Sequence, residues 1–156
     1  MILYESDPVA RQILRQNLAA NRAGNVTLMR GTMAGVASGE PGRESLDELL
    51  LERLDWLKLN NGATALDILA GANATLWRTR PSIFAAIPDD LALSAIAGRL
   101  REFGYRCWRM ETPWFNPQNF NRRVDDIHGG RVALALLAIP EEGDVSVAQS
   151  GCVELS

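Results

Sequence analysis

Between Pro81 and Pro88 runs Ser82-Ile83-Phe84-Ala85-Ala86-Ile87, a short apolar stretch. It reads as a strand buried on both faces, the kind found in parallel sheets covered by helices. Its flanks fit that reading. Ala65, Leu66, Ile68, Leu69 and Leu76 predict one helix before it, stopped ahead of Pro81, and Leu91, Leu93, Ile96, Ala97 and Leu100 predict another after it, ended by Gly104.

The pattern continues on both sides. Ile2-Leu3-Tyr4 has strand character and is closed by Glu5-Ser6-Asp7-Pro8, where Ser6 or Asp7 can cap a helix and Pro8 fits its first turn. Val9, Ile13, Leu14 and Leu18 recur at helical spacing, predicting one apolar helix face that ends near residues 21–24. A second strand is expected at 25–29 and a loop at 31–43, where Gly, Ser and Pro gather. Ser45 with Glu48 predicts a capping box on a short helix, with Leu46, Leu49 and Leu50 as its apolar side. Residues 56–59 form a third strand, ending at Asn60-Asn61-Gly62. Strands at 105–110 and 132–139 flank a long loop, 111–130. The last residues, 141–156, read as a flexible acidic and polar tail on a domain spanning 1–140.

Strand and helix in alternation, closed by a final pair of strands, define an α/β fold with a mostly parallel sheet and helices on both faces. Ligands of such sheets sit beyond the carboxyl ends of the strands. That rule draws attention to Glu5-Ser6, residues 30–35, Asn60 to Ala63, Pro88-Asp89 and the 111–130 loop.

Composition narrows the function classes. With 156 residues, 47% hydrophobic and 22% charged, the chain suits one compact domain that needs no disulfide or metal. A net charge of −3 and a pI near 5.2 argue against nucleic acid as partner. No apolar run is long enough to span a membrane, so a cytoplasmic protein is expected. Cys107 and Cys152 are far apart and His128 is the one histidine, so a zinc site has no ligand set. No Gly-x-Ser-x-Gly elbow accompanies His128, which reads as a loop residue. Many arginines beside a single lysine, Lys58, suggest a GC-rich bacterial gene.

Three places carry candidate chemistry. Glu5 can accept hydrogen bonds from both hydroxyls of a nucleotide ribose, or can complement a helix dipole. Asn60-Asn61-Gly62 can hydrogen-bond a cofactor or substrate, or can cap the helix that follows; an amide cannot serve as a general base. Residues 114–121, Trp114-Phe115-Asn116-Pro117-Gln118-Asn119-Phe120-Asn121, interleave aromatics with amides. They can close over a ligand, or form a loop pinned by Trp114 and Phe120. Arg106, Arg109, Arg122 and Arg123 nearby can meet an anionic group or remain solvated.

Several of these segments together resemble the FkbM-type methyltransferases, class I enzymes that use S-adenosylmethionine. Tyr4-Glu5-Ser6-Asp7-Pro8 with Asn17-Leu18 and Asn21 is similar to the family's start, and Ser45-Leu46-Asp47-Glu48-Leu49-Leu50 to its Thr-Leu-Asp-x-Leu segment. Leu57-Lys58-Leu59, Leu69-Ala70-Gly71-Ala72, Arg80-Pro81 and Phe115-Asn116-Pro117-x-Asn119-Phe120 follow in family order, over most of residues 4–140. The resemblance implies a Rossmann-like sheet with an antiparallel last strand. It implies S-adenosylmethionine as cofactor and O-methyl transfer to a small-molecule or sugar hydroxyl. It would place Glu5, Ser6, Gly31, Thr32 and Asn60 at the cofactor, Asn60 at the reacting end, and Trp114, Asn116 and Asn119 at the acceptor.

Two departures qualify the activity so implied. Asn60 stands where the family carries an aspartate, and no acid replaces the glutamate after it. The family's first strand and Gly-rich loop should precede Tyr4, so this chain reads as N-terminally truncated. Either the strands at 2–4 and 56–59 pair directly, or another chain or an upstream segment completes the sheet. The alternative function is a non-catalytic binding module that keeps the fold.

Overall fold

The computed structural model describes residues 1–35, 42–143, 145, 147 and 151–156, with the backbone alone at residue 63. Where the composition suits one domain, the chain gathers into two compact units. The first is Met1–Leu50 with Asp67–Asn73, the second Leu51–Leu66 with Ala74–Ser156.

In the first unit, β1 (Ile2–Glu5) and β2 (Thr27–Arg30) pair in parallel, with α1 (Pro8–Ala20) as their crossover. Asp7 caps α1, its carboxylate accepting the Val9 and Ala10 N–H groups at 2.7 and 2.8 Å. The apolar face of α1 differs from the sequence expectation. Ala10, Leu14 and Leu18, each four residues apart, are half-buried, whereas Val9 and Ile13 stand 67% and 51% exposed. The helix rests on a stripe one position further round than the larger side chains suggested.

Residues 31–43, expected as loop, contain β3 (Thr32–Met33), which pairs in parallel with β4 (Arg43–Glu44); 36–41 lie outside the described residues. The capping box is present. Ser45 Oγ accepts the Glu48 N–H at 3.3 Å, and Glu48 Oε2 accepts the Ser45 N–H at 2.7 Å. It opens a single 3-10 turn, Asp47–Leu49, rather than a longer helix. Leu46 is buried, but Leu50 leaves the expected apolar side: its φ of 46° turns the chain and leaves it 74% exposed.

The single helix expected over 65–80 is two, α2 (Gly62–Ala70) and α3 (Asn73–Thr79). The break lies at Gly71. Any side chain there would meet the carbonyl oxygens of Ala34 and Gly35, and its own carbonyl accepts the Asp47 N–H at 2.9 Å. The backbone is held where a helix cannot pass.

The second unit is built on a five-stranded sheet in the order β5 (Trp56–Leu59), β6 (Ser82–Ile87), β8 (Val132–Pro140), β7 (Tyr105–Pro113), β9 (Cys152–Leu155). β5, β6 and β7 run one way; β8 is inserted antiparallel between β6 and β7, and β9 is antiparallel to β7. The expected antiparallel last strand is therefore β8, with a second such strand beyond it. Ile83, Ala85 and Ile87 are buried, while the other face of β6 is half-buried. Leu93, Ile96, Ala97 and Leu100 are the buried face of α4 (Asp90–Arg101), capped by Asp89. Leu91, expected on that face, is 82% exposed in the first turn.

The expected frayed tail is corrected over its last residues. β9 pairs with Cys107 to Met110 of β7, and Glu154 accepts both Nε and Nη2 of Arg106 at 2.9 and 3.1 Å. A four-residue strand held by cross-strand bonds and one forked ion pair gives little apolar signal in sequence. Among the described residues, β1 has β2 as its one hydrogen-bonded neighbour, and β5 has β6.

Candidate functional site

The carboxyl ends of β1 and β2 lie side by side in the first unit, because the register places Glu5 opposite Arg30. Just beyond them is a cleft of about 570 Å³, lined by Ser6, Arg11, Arg30, Gly31, Thr32 and Gly42. Three of the expected cofactor residues, Ser6, Gly31 and Thr32, thus meet in one place. Its wall depends on a close approach of two backbones. Gly31 has φ 111°, and a Cβ on it would collide with the Gly42 carbonyl, which accepts the Thr32 N–H at 3.0 Å. Only glycine satisfies both conditions.

Glu5 stands half-buried at the same strand end. One carboxylate oxygen, Oε1, accepts the Asp7 N–H at 2.8 Å, so part of its role is local. Oε2 has no partner among the described residues. The Glu5 carbonyl accepts a long 3.2 Å bond from Arg11 Nη1. Nearby, the Tyr4 hydroxyl donates to Glu44 Oε2 at 2.8 Å; burial, and then that carboxylate, push the phenol up to about 12.

The remaining expected residues belong to the second unit. Asn60 is exposed at the carboxyl end of β5. After it, the Asn61 carbonyl accepts both the N–H and the hydroxyl of Thr64, at 3.2 and 3.1 Å, which starts α2. Gly62 is packed tightly: a Cβ there would lie 2.5 Å from the Ala86 carbonyl and from Pro88 Cδ. This approach holds the Asn60-Asn61-Gly62 turn beside the carboxyl end of β6.

The 114–131 loop is tied by its own polar side chains. Asn119 accepts the Arg123 N–H and donates to the Asn116 and Arg123 carbonyls at 2.9 and 2.8 Å, while Asn116 accepts the Gln118 N–H. Asp126 accepts the Gly130 and His128 N–H groups, which hold its carboxyl below the usual range. Trp114 meets the His128 ring edge-on at 5.6 Å and the Arg131 guanidinium at 5.9 Å. Trp114 therefore pins the loop. Phe120 does not, since it is fully exposed. Arg106 and Arg109 are engaged with Glu154 and with Asp90 and Glu111.

Arg30 falls in the segment 30–35 singled out from the sequence; Arg11 and Gly42 were missed, Gly42 because it is far from Gly31 in the chain. The cavity of Arg11 and Arg30 had one legible signal, an arginine one helical turn after the Asp7 cap.

The α/β fold is similar to the Rossmann-like fold of class I methyltransferases. Two solved structures share it. A precorrin-6y C5,15-methyltransferase from Geobacter metallireducens GS-15 superposes with a TM-score of 0.57 at 18% identity, over 89% of this chain and 65% of its own. A precorrin 8w decarboxylase from Methanobacterium thermoautotrophicum superposes with 0.61 at 17% identity, over 88% and 68%. The chain thus spans just under two thirds of the first of them. No protein-family model and no curated relative matches the sequence. Among the described residues no helix is long and apolar enough to cross a membrane, and no group of residues could hold a metal ion.

Proposed function

We propose that this chain is an S-adenosylmethionine-dependent methyltransferase-like protein. The observation that carries the reading is the meeting of Ser6, Gly31 and Thr32 in one cleft beyond β1 and β2, on a fold shared with methyltransferases. In this reading the cleft takes the adenosine half of the cofactor. Glu5 Oε2, without a partner among the described residues, accepts a ribose hydroxyl from the same strand end. Ser6 and Thr32 offer hydroxyls, and the Gly31–Gly42 approach forms part of the wall. When bound, the cofactor supplies a methyl group on a positive sulfur.

For transfer, the chain's own residues supply positioning. From the sequence resemblance alone, Asn60 is proposed for the reacting end and Trp114, Asn116 and Asn119 for the acceptor. The acceptor is a small molecule or sugar hydroxyl, as in FkbM-type O-methyl transfer. That oxygen would receive the methyl the bound cofactor supplies, and the hydroxyl proton would pass to water, since the Asn60 amide cannot serve as a general base. General-base help of about 10²–10⁴-fold is forgone.

A second reading is favoured by β5, which among the described residues pairs on one side only. Here the fold serves as a non-catalytic binding module, and another chain or an upstream segment supplies a further strand at that edge. Equilibrium dialysis with S-adenosylhomocysteine tests the first reading. Wild type should bind, and Glu5→Ala should bind at least tenfold more weakly while remaining folded, with a small fall in unfolding temperature from the lost Asp7 N–H bond. Loss of stability with unchanged binding would leave Glu5 as a helix-start acid alone.

A further inference from the structure

Next to the adenosine cleft, and sharing Arg11 and Arg30 with it, lies a second cavity of about 650 Å³ on the flank of α1. Its polar lining is Arg11, Arg15 and Arg30 with Gln12 and Gln16, and among the described residues no carboxylate lines it. Three guanidinium groups in a chain of net charge −3 are an unusual concentration of one sign. Arg11 and Arg15 stand one turn apart on α1, where like charges oppose each other and weaken a helix. Nothing in the described residues relieves that repulsion. Among the described residues no carboxylate pairs with Arg11, Arg15 or Arg30, and the one side-chain bond any of them makes there is the 3.2 Å contact of Arg11 with the Glu5 carbonyl. The nearest acid of the helix, Asp7, is spent on the Val9 and Ala10 N–H groups.

Some arginines elsewhere are paired, Arg106 with Glu154, Arg109 with Asp90, Arg80 with Glu142 and Arg53 with Asp55. What distinguishes Arg11, Arg15 and Arg30 is that all three line one cavity. A guanidinium is planar, always charged and matched to two oxygens of a phosphate, and three of them exceed what a single carboxylate can satisfy. From the convergence of Arg11, Arg15 and Arg30 on one acid-free cavity, we propose a binding site for a multivalent phosphate group. The amides of Gln12 and Gln16 add uncharged donors to the same lining. S-Adenosylmethionine carries no phosphate, so this site goes beyond the proposed cofactor. Arg11 and Arg30 line both cavities, so a phosphorylated ligand here lies against the adenosine cleft.

The test is thermal unfolding of the full chain with pyrophosphate at constant ionic strength, beside Arg15→Gln/Arg30→Gln and the control Arg53→Gln. Arg15 and Arg30 are exposed, so the double variant is expected to fold as wild type does. Pyrophosphate should raise the Tm of wild type and Arg53→Gln by several degrees with saturation below millimolar. In the double variant its Kd should rise at least tenfold. ATP binding tighter than pyrophosphate would identify a nucleotide, and equal affinity a free phosphate group; either is the chemistry claimed. No shift in wild type, or equal shifts in all three proteins, overturns the proposal. S-Adenosylhomocysteine in parallel with the single variant Arg15→Gln separates the two readings. Arg15 lines this cavity and not the adenosine cleft, so Arg15→Gln should weaken pyrophosphate and leave the S-adenosylhomocysteine shift as in wild type.

Discussion

The hydroxyl of Tyr4 on β1 is bonded to the carboxylate of Glu44 on β4, at 2.8 Å. The bond joins the two strand pairs of the first unit behind its cleft. Burial and the neighbouring carboxylate push the phenol from 10 up to about 12, so the folded state favours the neutral form. Stability from this pair is complete below pH 10 and is lost as pH rises through 12. Tyr4→Phe should cost about 1 kcal/mol at pH 7 and flatten part of the alkaline loss. Urea unfolding at pH 7 and pH 11 measures both.

Gly31 and Gly42 should respond unequally to alanine. At Gly31 a Cβ strikes the Gly42 carbonyl and φ is 111°; at Gly42 the nearest atom is 3.9 Å away and only the φ of 83° opposes a side chain. Gly31→Ala should cost about 2–3 kcal/mol or more, and Gly42→Ala about 1. Equal costs, read from denaturant midpoints, would show that the backbone approach is not what requires Gly31.

Tyr105 offers the opposite case. Its ring is 1% exposed, and its hydroxyl has no hydrogen-bond partner among the described residues. Burial pushes the phenol up to about 12. Tyr105→Phe should leave stability unchanged or raise it by about 1 kcal/mol, since an unsatisfied polar atom is removed and the apolar shape kept. The Arg80 guanidinium, 4.8 Å from the ring centre, remains in place over phenylalanine.

Arg80 itself links three chain segments. It donates to the Phe103 and Gly104 carbonyls at 2.5 and 2.9 Å and grips Glu142 with two nitrogens. Arg80→Lys keeps the charge but not the fork, and should cost about 2 kcal/mol. The guanidinium holds the Glu142 carboxyl down at about 2, so its contribution is present above 4.5 and lost as pH falls through 2. In Arg80→Ala that acid limb should disappear from the pH profile of the unfolding midpoint.

Much of this architecture was legible where local chemistry decides. Pro81 and the apolar run after it gave β6 to the residue, Asp7 and Pro8 gave the start of α1, and Ser45 with Glu48 gave the capping box. The misses have tertiary causes. The break between α2 and α3 lies at Gly71 because Ala34 and Gly35 approach it, which no helical periodicity encodes. β9 is fixed by pairing with β7 and by Arg106, not by its own propensity. Ser6, Arg30, Gly31 and Thr32, which line the cleft, fall in segments that the rule about strand carboxyl ends singles out; Gly42 joins them only through its backbone approach to Gly31 and Thr32.

Thermal unfolding with S-adenosylhomocysteine tests the central claim most directly. A ligand at about 100 times its Kd adds roughly 2.7 kcal/mol, several degrees for a chain of this size. The account predicts such a shift in wild type, reduced at least tenfold in apparent affinity by Glu5→Ala. A flat response up to millimolar ligand, in a protein that unfolds cooperatively, would contradict it and leave a methyltransferase fold without its cofactor.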